Sequence, residues 1–107
     1  MVEIVMPDII TPYGTVKSII KKVCNCFEVS ESEIKGRSRE RDIVIPRQTV
    51  MYFLNVHCGL SSKALGRMFN RDHSTVLYSV NEIRNVEYKE AWLKPTFENL
   101  EKNILNG

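Results

Sequence analysis

One hundred and seven residues set a single-domain length, enough for one modest core that buries roughly 60–70% of the unfolded chain's surface. Hydrophobic residues at 43% and charged residues at 26% exclude wholesale disorder and fibrous repeats, and no apolar run approaches the ~20 residues of a membrane span. The net charge of +2 is unevenly spread: residues 1–34 carry three Lys against five acids, residues 35–86 nine Lys/Arg against four, and residues 87–107 three against four.

Residues 1–11 read as an N-terminal extension, with Ile4, Val5, Met6, Ile9 and Ile10 able to pack on the domain that follows. Met1 to Asp8 has neither a basic n-region nor a long apolar stretch, so a secretory signal is not expected and a cytoplasmic location is. The domain itself is expected over residues 12–107. After Pro12, Val16, Ile19, Ile20, Val23 and Phe27 form one apolar stripe at helical spacing, which predicts a helix over about 12–27. Cys24 and Cys26 lie on it, about 200° apart around its axis. With Cys58 they make three, too few for a disulfide framework or a closed zinc site, so reduced thiols and no metal are expected.

Ser30-Glu31-Ser32-Glu33 has the capping-box pattern and opens a short turn that buries Ile34 before Gly36 breaks it. Lys35, Arg37, Arg39, Arg41 and Arg47 then fall within thirteen residues, opposed only by Glu40 and Asp42. Such a run is either a solvated charged loop or a patch for a polyanion. Ile43, Val44, Val50, Met51, Leu54 and Cys58 predict the next helix over 40–58, ended by Gly59 and complicated by Pro46. Ser61 can cap a third helix running to Phe69, with Leu65 and either Leu60 or Met68 facing inward. Asn70-Arg71-Asp72 makes a polar turn, and Val76, Val80 and Ile83, extended by Val86, give the inner stripe of a fourth helix. Leu93, Phe97, Leu100 and Ile104 mark a fifth, with Pro95 in its first turn.

Helices over 61–69 and 72–85, joined by two or three residues, have the dimensions of a helix-turn-helix. The second opens on Arg71, Asp72, His73, Ser74 and Thr75, a polar run suited to base edges rather than to a core. Asp72 also suits an N-cap. His57 reads as a partly exposed structural histidine, and Tyr52, Tyr88 and Trp92 as core and rim. Consecutive Asp72, His73 and Ser74 cannot relay a proton in series, so an enzyme is not expected.

The strings Arg39-Glu40-Arg41-Asp42-Ile43-Val44-Ile45-Pro46-Arg47-Gln48, Met51-Tyr52-Phe53-Leu54, Leu65-Gly66-Arg67-Met68-Phe69 and Arg71-Asp72-His73-Ser74-Thr75-Val76-Leu77 closely resemble the C-terminal DNA-binding domain of the bacterial chromosomal replication initiator DnaA. The resemblance covers residues 12–105. It implies an all-α, Trp-repressor-like helix-turn-helix bundle of about five to six helices that binds double-stranded DNA at short A/T-rich boxes, one monomer per box. Carried over by position, it places Arg39 in the minor groove and Asp72, His73 and Ser74 on base edges, Asp72 accepting from a cytosine amino group and His73 packing on a thymine methyl. Arg41, Arg47, Gln48, Arg71 and Thr75 would hold phosphates; charge and placement add Lys35 and Lys63. No Gly-x-x-x-x-Gly-Lys-[Ser/Thr] string is present, so nucleotide-driven origin melting is not expected of this chain, nor is any cofactor. Two departures from the family pattern bear on how the helix meets the box and on specificity at its edge. The Phe69-Asn70-Arg71 turn is one residue shorter than the family's, and Tyr78 stands where a histidine is frequent. They also motivate the alternative, a protein-interaction module on the same fold that contacts replication proteins and no longer reads DNA.

Overall fold

The computed structural model describes residues 9–85 and 91–106; Ile4, Val5, Met6, Val86 and Tyr88 lie outside them. Among the described residues the fold is all-α apart from one small hairpin. Strands β1 (Ile10–Thr11) and β2 (Gly14–Thr15) pair antiparallel, with Ile10 opposite Thr15. The expected helix start at residue 12 is therefore corrected: Pro12-Tyr13 forms the hairpin turn, tied by the Thr11 hydroxyl donating to the Gly14 carbonyl at 2.7 Å. Helix α1 (Val16–Phe27) begins only where the Thr15 side chain accepts from the Ser18 amide. At its other end Glu28 adopts the left-handed conformation, φ 57°, while the Val29 amide reaches back to the Cys24 carbonyl. Helix α2 (Glu31–Lys35) carries the full capping box on Ser30 and Glu33.

Helix α3 (Arg41–Tyr52) continues as a π-helical turn over Phe53–His57, closed by the Cys58 amide on the Phe53 carbonyl. Pro46 sits in its second turn, past the position where the missing N–H is without consequence. Gly59 stops this helix in the left-handed region at φ 75°. Helix α4 (Ser62–Met68), capped by Ser61, and helix α5 (His73–Arg84) form the helix-turn-helix. A 3-10 turn (Ala91–Leu93) leads into α6 (Lys94–Leu105), with Pro95 in its first turn.

Helix α3 is the hub, packing most extensively on α5 and next on α1, which in turn carries α6. The stripes read from the sequence meet there: Ile19, Ile20 and Val23 of α1, Val50 and Met51 of α3, Val76, Val80 and Ile83 of α5, and Leu100 and Ile104 of α6 are all buried. Phe53 and Phe69, which no stripe singled out, are among the largest fully buried side chains. The π turn brings Phe53 onto Phe97, ring centroids 5.8 Å apart and nearly parallel. His57 lies half-buried among Tyr13, Tyr52 and Phe53, as a structural histidine should. Cys24 is buried, Cys58 half-buried and Cys26 exposed. Trp92 is 65% exposed, at the rim.

Arg47, expected on a phosphate, requires a correction. Its side chain is only 6% exposed. Nε donates to the Ile34 carbonyl at 2.6 Å, Nη1 to Ser38 at 2.9 Å, and Nη2 to Gly36 at 3.1 Å and Glu33 at 3.4 Å. Burial, and after it the Arg71 charge, pull the Arg47 guanidinium down from its ordinary value. The planar fork thus binds the end of α2 and the loop after it, a geometry a lysine's single ammonium does not reproduce. The residue is a structural clamp.

Two stability predictions follow from these local geometries. Arg47→Met keeps the volume but removes the guanidinium from four carbonyls, of which Gly36 keeps Arg71 and Glu33 keeps the Gly36 amide, so chemical denaturation should show a loss of about 2–4 kcal/mol, with amide exchange accelerating over residues 36–40. A variant as stable as the parent would mean the carbonyls are satisfied without the guanidinium. Glu28→Gly, by relieving a left-handed non-glycine, should gain about 1 kcal/mol and raise the thermal midpoint by roughly 4–8 °C.

Candidate nucleic-acid interface

The turn between α4 and α5 is built by close backbone approach. The Arg71 amide donates to the Gly66 carbonyl at 2.7 Å, and a Cβ added at Gly66 would lie 2.5 Å from the Arg71 oxygen. Only glycine fits there. Asn70 takes the left-handed conformation, φ 52°, which asparagine tolerates better than most residues. One residue in this conformation, anchored behind by buried Phe69, is how the short turn reverses the chain.

At the start of α5 the side chains of Asp72, His73, Ser74 and Thr75 are all exposed, while Val76, Ser79, Val80 and Ile83 turn inward. Asp72 holds the N-cap position without a side-chain capping bond. Its Oδ2 instead accepts from the Ser74 hydroxyl, and Oδ1 lies 3.3 Å from His73 Nδ1. The Ser74 hydrogen bond, with His73 beside it, holds the Asp72 carboxyl below the usual carboxylate range. The group is therefore an ionised acceptor at neutral pH, fixed by its neighbours at the tip of the helix. One turn further along, Leu77 and Tyr78 are 47% and 62% exposed, apolar surface on a face that the fold does not cover.

The basic loop reaches this tip. Arg71 donates from Nη1 to Phe69 at 2.7 Å and from Nη2 to the Gly36 carbonyl at 2.5 Å, the same oxygen that Arg47 holds. Loop 36–40 and the α4–α5 turn are thereby joined. Between them lies a cleft of about 380 Å³ lined by Lys35, Arg37, Arg39, Arg47, Arg71 and Thr75 among others. Burial first, and then the Arg37 charge, lower the Arg71 guanidinium. A second cleft, of about 490 Å³, lies on the α4 side of the turn, where Lys63 and Arg67 face Arg71, Asp72 and His73.

The structure thus gathers most of the residues picked out from the sequence. Arg39 is exposed in the loop cleft, Thr75 is exposed on α5 and Lys63 on α4, whereas Arg41, also exposed, lines a different cleft with Glu28, Glu33, Glu40 and Asp42. Gln48 is half-buried, and Lys35 is paired with Glu31 at 2.7 Å. Arg71 is half-buried and spends both terminal nitrogens on carbonyls. Arg37 and Arg67 were not singled out as site residues, yet each lines a basic cleft. The signal for Arg67 was its spacing, four residues after Lys63.

The family model described as "Bacterial dnaA protein helix-turn-helix" matches residues 16–83. Among curated relatives, the chromosomal replication initiator protein DnaA 1 of Chlamydia pneumoniae is 33% identical over 108 residues, covering 96% of this chain and 24% of the relative. The DnaA proteins of Oleidesulfovibrio alaskensis and Thermomicrobium roseum are 35% and 43% identical over 76 and 70 residues, covering 71% and 64% of this chain and 16% and 15% of their own length. The chain thus spans about a quarter or less of the relatives it matches. Since the matched segment runs from the first residue of α1 into the last turn of α5, taking in the turn closed on Gly66 and both basic clefts, the chain belongs to the bacterial DnaA helix-turn-helix family.

Proposed function

We propose that this chain binds duplex DNA at short A/T-rich boxes of the initiator type, one copy per box, without enzymatic chemistry of its own. Membership of the DnaA helix-turn-helix family supports DNA binding in replication initiation. The observation that carries the finer reading is the bond between the Arg71 guanidinium and the Gly36 carbonyl, which sets the arginine loop beside the polar tip of α5. The helix enters the major groove while the loop reaches the adjacent minor groove, where an A/T-rich tract concentrates negative potential.

Within that pose each residue has a role that its chemistry permits. Arg39 enters the minor groove. Asp72, ionised and oriented by Ser74, accepts from a cytosine amino group; His73 packs on a thymine methyl, and Ser74 offers its oxygen to a base edge. Lys35, Arg41, Gln48, Lys63, Arg71 and Thr75 meet phosphates, Arg71 chiefly through its charge because its terminal nitrogens are engaged. Arg47 holds the loop in place from beneath and makes no phosphate contact. Among the described residues no helix is long and apolar enough to cross a membrane, and the reading requires none.

A fluorescence-anisotropy titration of a box duplex against a scrambled duplex of equal composition tests this. The box should be preferred, and with about six phosphate contacts its affinity should fall roughly 10³-fold between 50 and 200 mM salt. Asp72→Ala and His73→Ala should each cost about 1–3 kcal/mol of discrimination while leaving the salt dependence in place. Equal affinity for both duplexes, unmoved by Asp72→Ala, would refute base reading.

A further inference from the structure

Basic side chains flank the tip of α5 on two sides, and the turn divides them. On the loop side Arg37, Arg39 and Arg71 share one cleft; on the α4 side Lys63 and Arg67 line the other, and the two clefts have Asn70 and Arg71 in common. Lys63 and Arg67 stand four residues apart on α4, hence on one face, and both are exposed. Like charges at that spacing repel. Among the described residues neither side chain takes part in an ion pair or hydrogen bond. The acid lining their cleft, Asp72, is occupied by Ser74 and His73. Helix α4 is held to the core by Leu65 and by partly buried Met68, not by this pair.

The geometry points to a second phosphate clamp, in which Lys63 and Arg67 hold the backbone of the DNA strand across the major groove from the strand met by the basic loop. This inference rests on the duplex-binding reading above. An α-helix with its side chains is about 10–12 Å across and the major groove about 12 Å wide, so a helix that enters it faces both sugar-phosphate walls. A turn with basic clefts on either side meets one wall with each. Arg67 supplies the planar fork that pairs with two phosphate oxygens, and Lys63 supplies a point charge one helical turn before it.

The test is the same titration with Arg67→Ala and Arg67→Lys, at several salt concentrations, on box and scrambled duplexes. Arg67→Ala should weaken binding to both duplexes alike, by roughly 5–10-fold at 0.1 M salt, and reduce the slope of log affinity against log salt by about 0.9. Arg67→Lys should retain the slope, and a thermal melt matching the parent shows that Arg67→Ala is folded. Box duplexes with neutral methylphosphonates on one strand at a time then assign the wall. The Arg67→Ala loss should vanish when the neutralised phosphate lies on the strand opposite the loop, and its disappearance only for the loop-side strand would overturn the assignment. Unchanged affinity and slope in Arg67→Ala, with the parent still preferring the box, would overturn the clamp and leave the proposed function standing. A parent protein showing no salt-dependent duplex binding would overturn both.

Discussion

The carbonyl of Gly36 accepts from two guanidinium groups that arrive from different elements, Arg47 from α3 and Arg71 from the helix-turn-helix turn. A flexible five-residue loop thereby becomes part of the scaffold. Arg47 adds the carbonyls of Ile34, inside α2, and Ser38, at the middle of the loop, so one buried side chain ties the loop to the helix before it. The relative placement of loop and recognition helix is then a property of the free protein, and ordering it on DNA costs little. Guanidinium charges are expensive to crowd. Burial lowers Arg47 and Arg71 first, and neighbouring charge adds to it, Arg37 acting on Arg71 and Arg71 on Arg47. Carbonyl dipoles offset that repulsion in the fold, and a phosphate in the adjacent cleft would relieve it further.

The helix-turn-helix depends on a different kind of constraint, steric rather than electrostatic. Gly66 is required because the chain leaving Asn70 passes within van der Waals distance of it, and the Arg71 amide closes on its carbonyl. That contact fixes where Arg71 emerges, and with it the reach to Gly36. Within this short turn Asn70 takes the left-handed conformation, and asparagine is the residue type after glycine best suited to it. Phe69 is buried behind the turn, and α5 still leaves the turn with its polar tip outward and Val76 inward.

What was legible in the sequence was what a period or a cap can encode. The stripe Val16, Ile19, Ile20, Val23 and the capping box at Ser30 and Glu33 both stand as read. So does the polar run from Asp72 to Thr75, because four polar residues at a helix start face solvent in any sensible packing. The start of α1 was missed because Thr11, Pro12 and Tyr13 build a hairpin from side-chain bonds that carry no periodic signal. Phe53, three residues after Val50, lies on the same inward face of α3 beside Leu54, through which the apolar stripe was drawn. Arg47 was misplaced for a deeper reason. In a run of basic residues, the one that turns inward differs from its neighbours only in having carbonyls to meet, and those carbonyls come from Glu33 to Ser38, as many as 14 residues away. Lys35 shows the converse, an exposed cation of the same run drawn to Glu31 within its own helix.

The distribution of charge, rather than its sum, decides what this surface attracts. A chain of net charge +2 would be a weak polyanion ligand if its charges were mixed evenly. Here the acids Glu28, Glu33, Glu40 and Asp42, with Arg41 as the one cation among them, line a separate cleft of about 400 Å³ with Phe27 and Trp92, which shares no residue with either basic cleft. Segregation of this sort gives the molecule an electrostatic orientation at small net charge. Within a Debye length of about 10 Å at 0.1 M salt, a duplex approaching the basic clefts is attracted, and one approaching the acidic cleft is repelled. Non-productive encounters are disfavoured without the strong, indiscriminate binding that a uniformly basic surface brings.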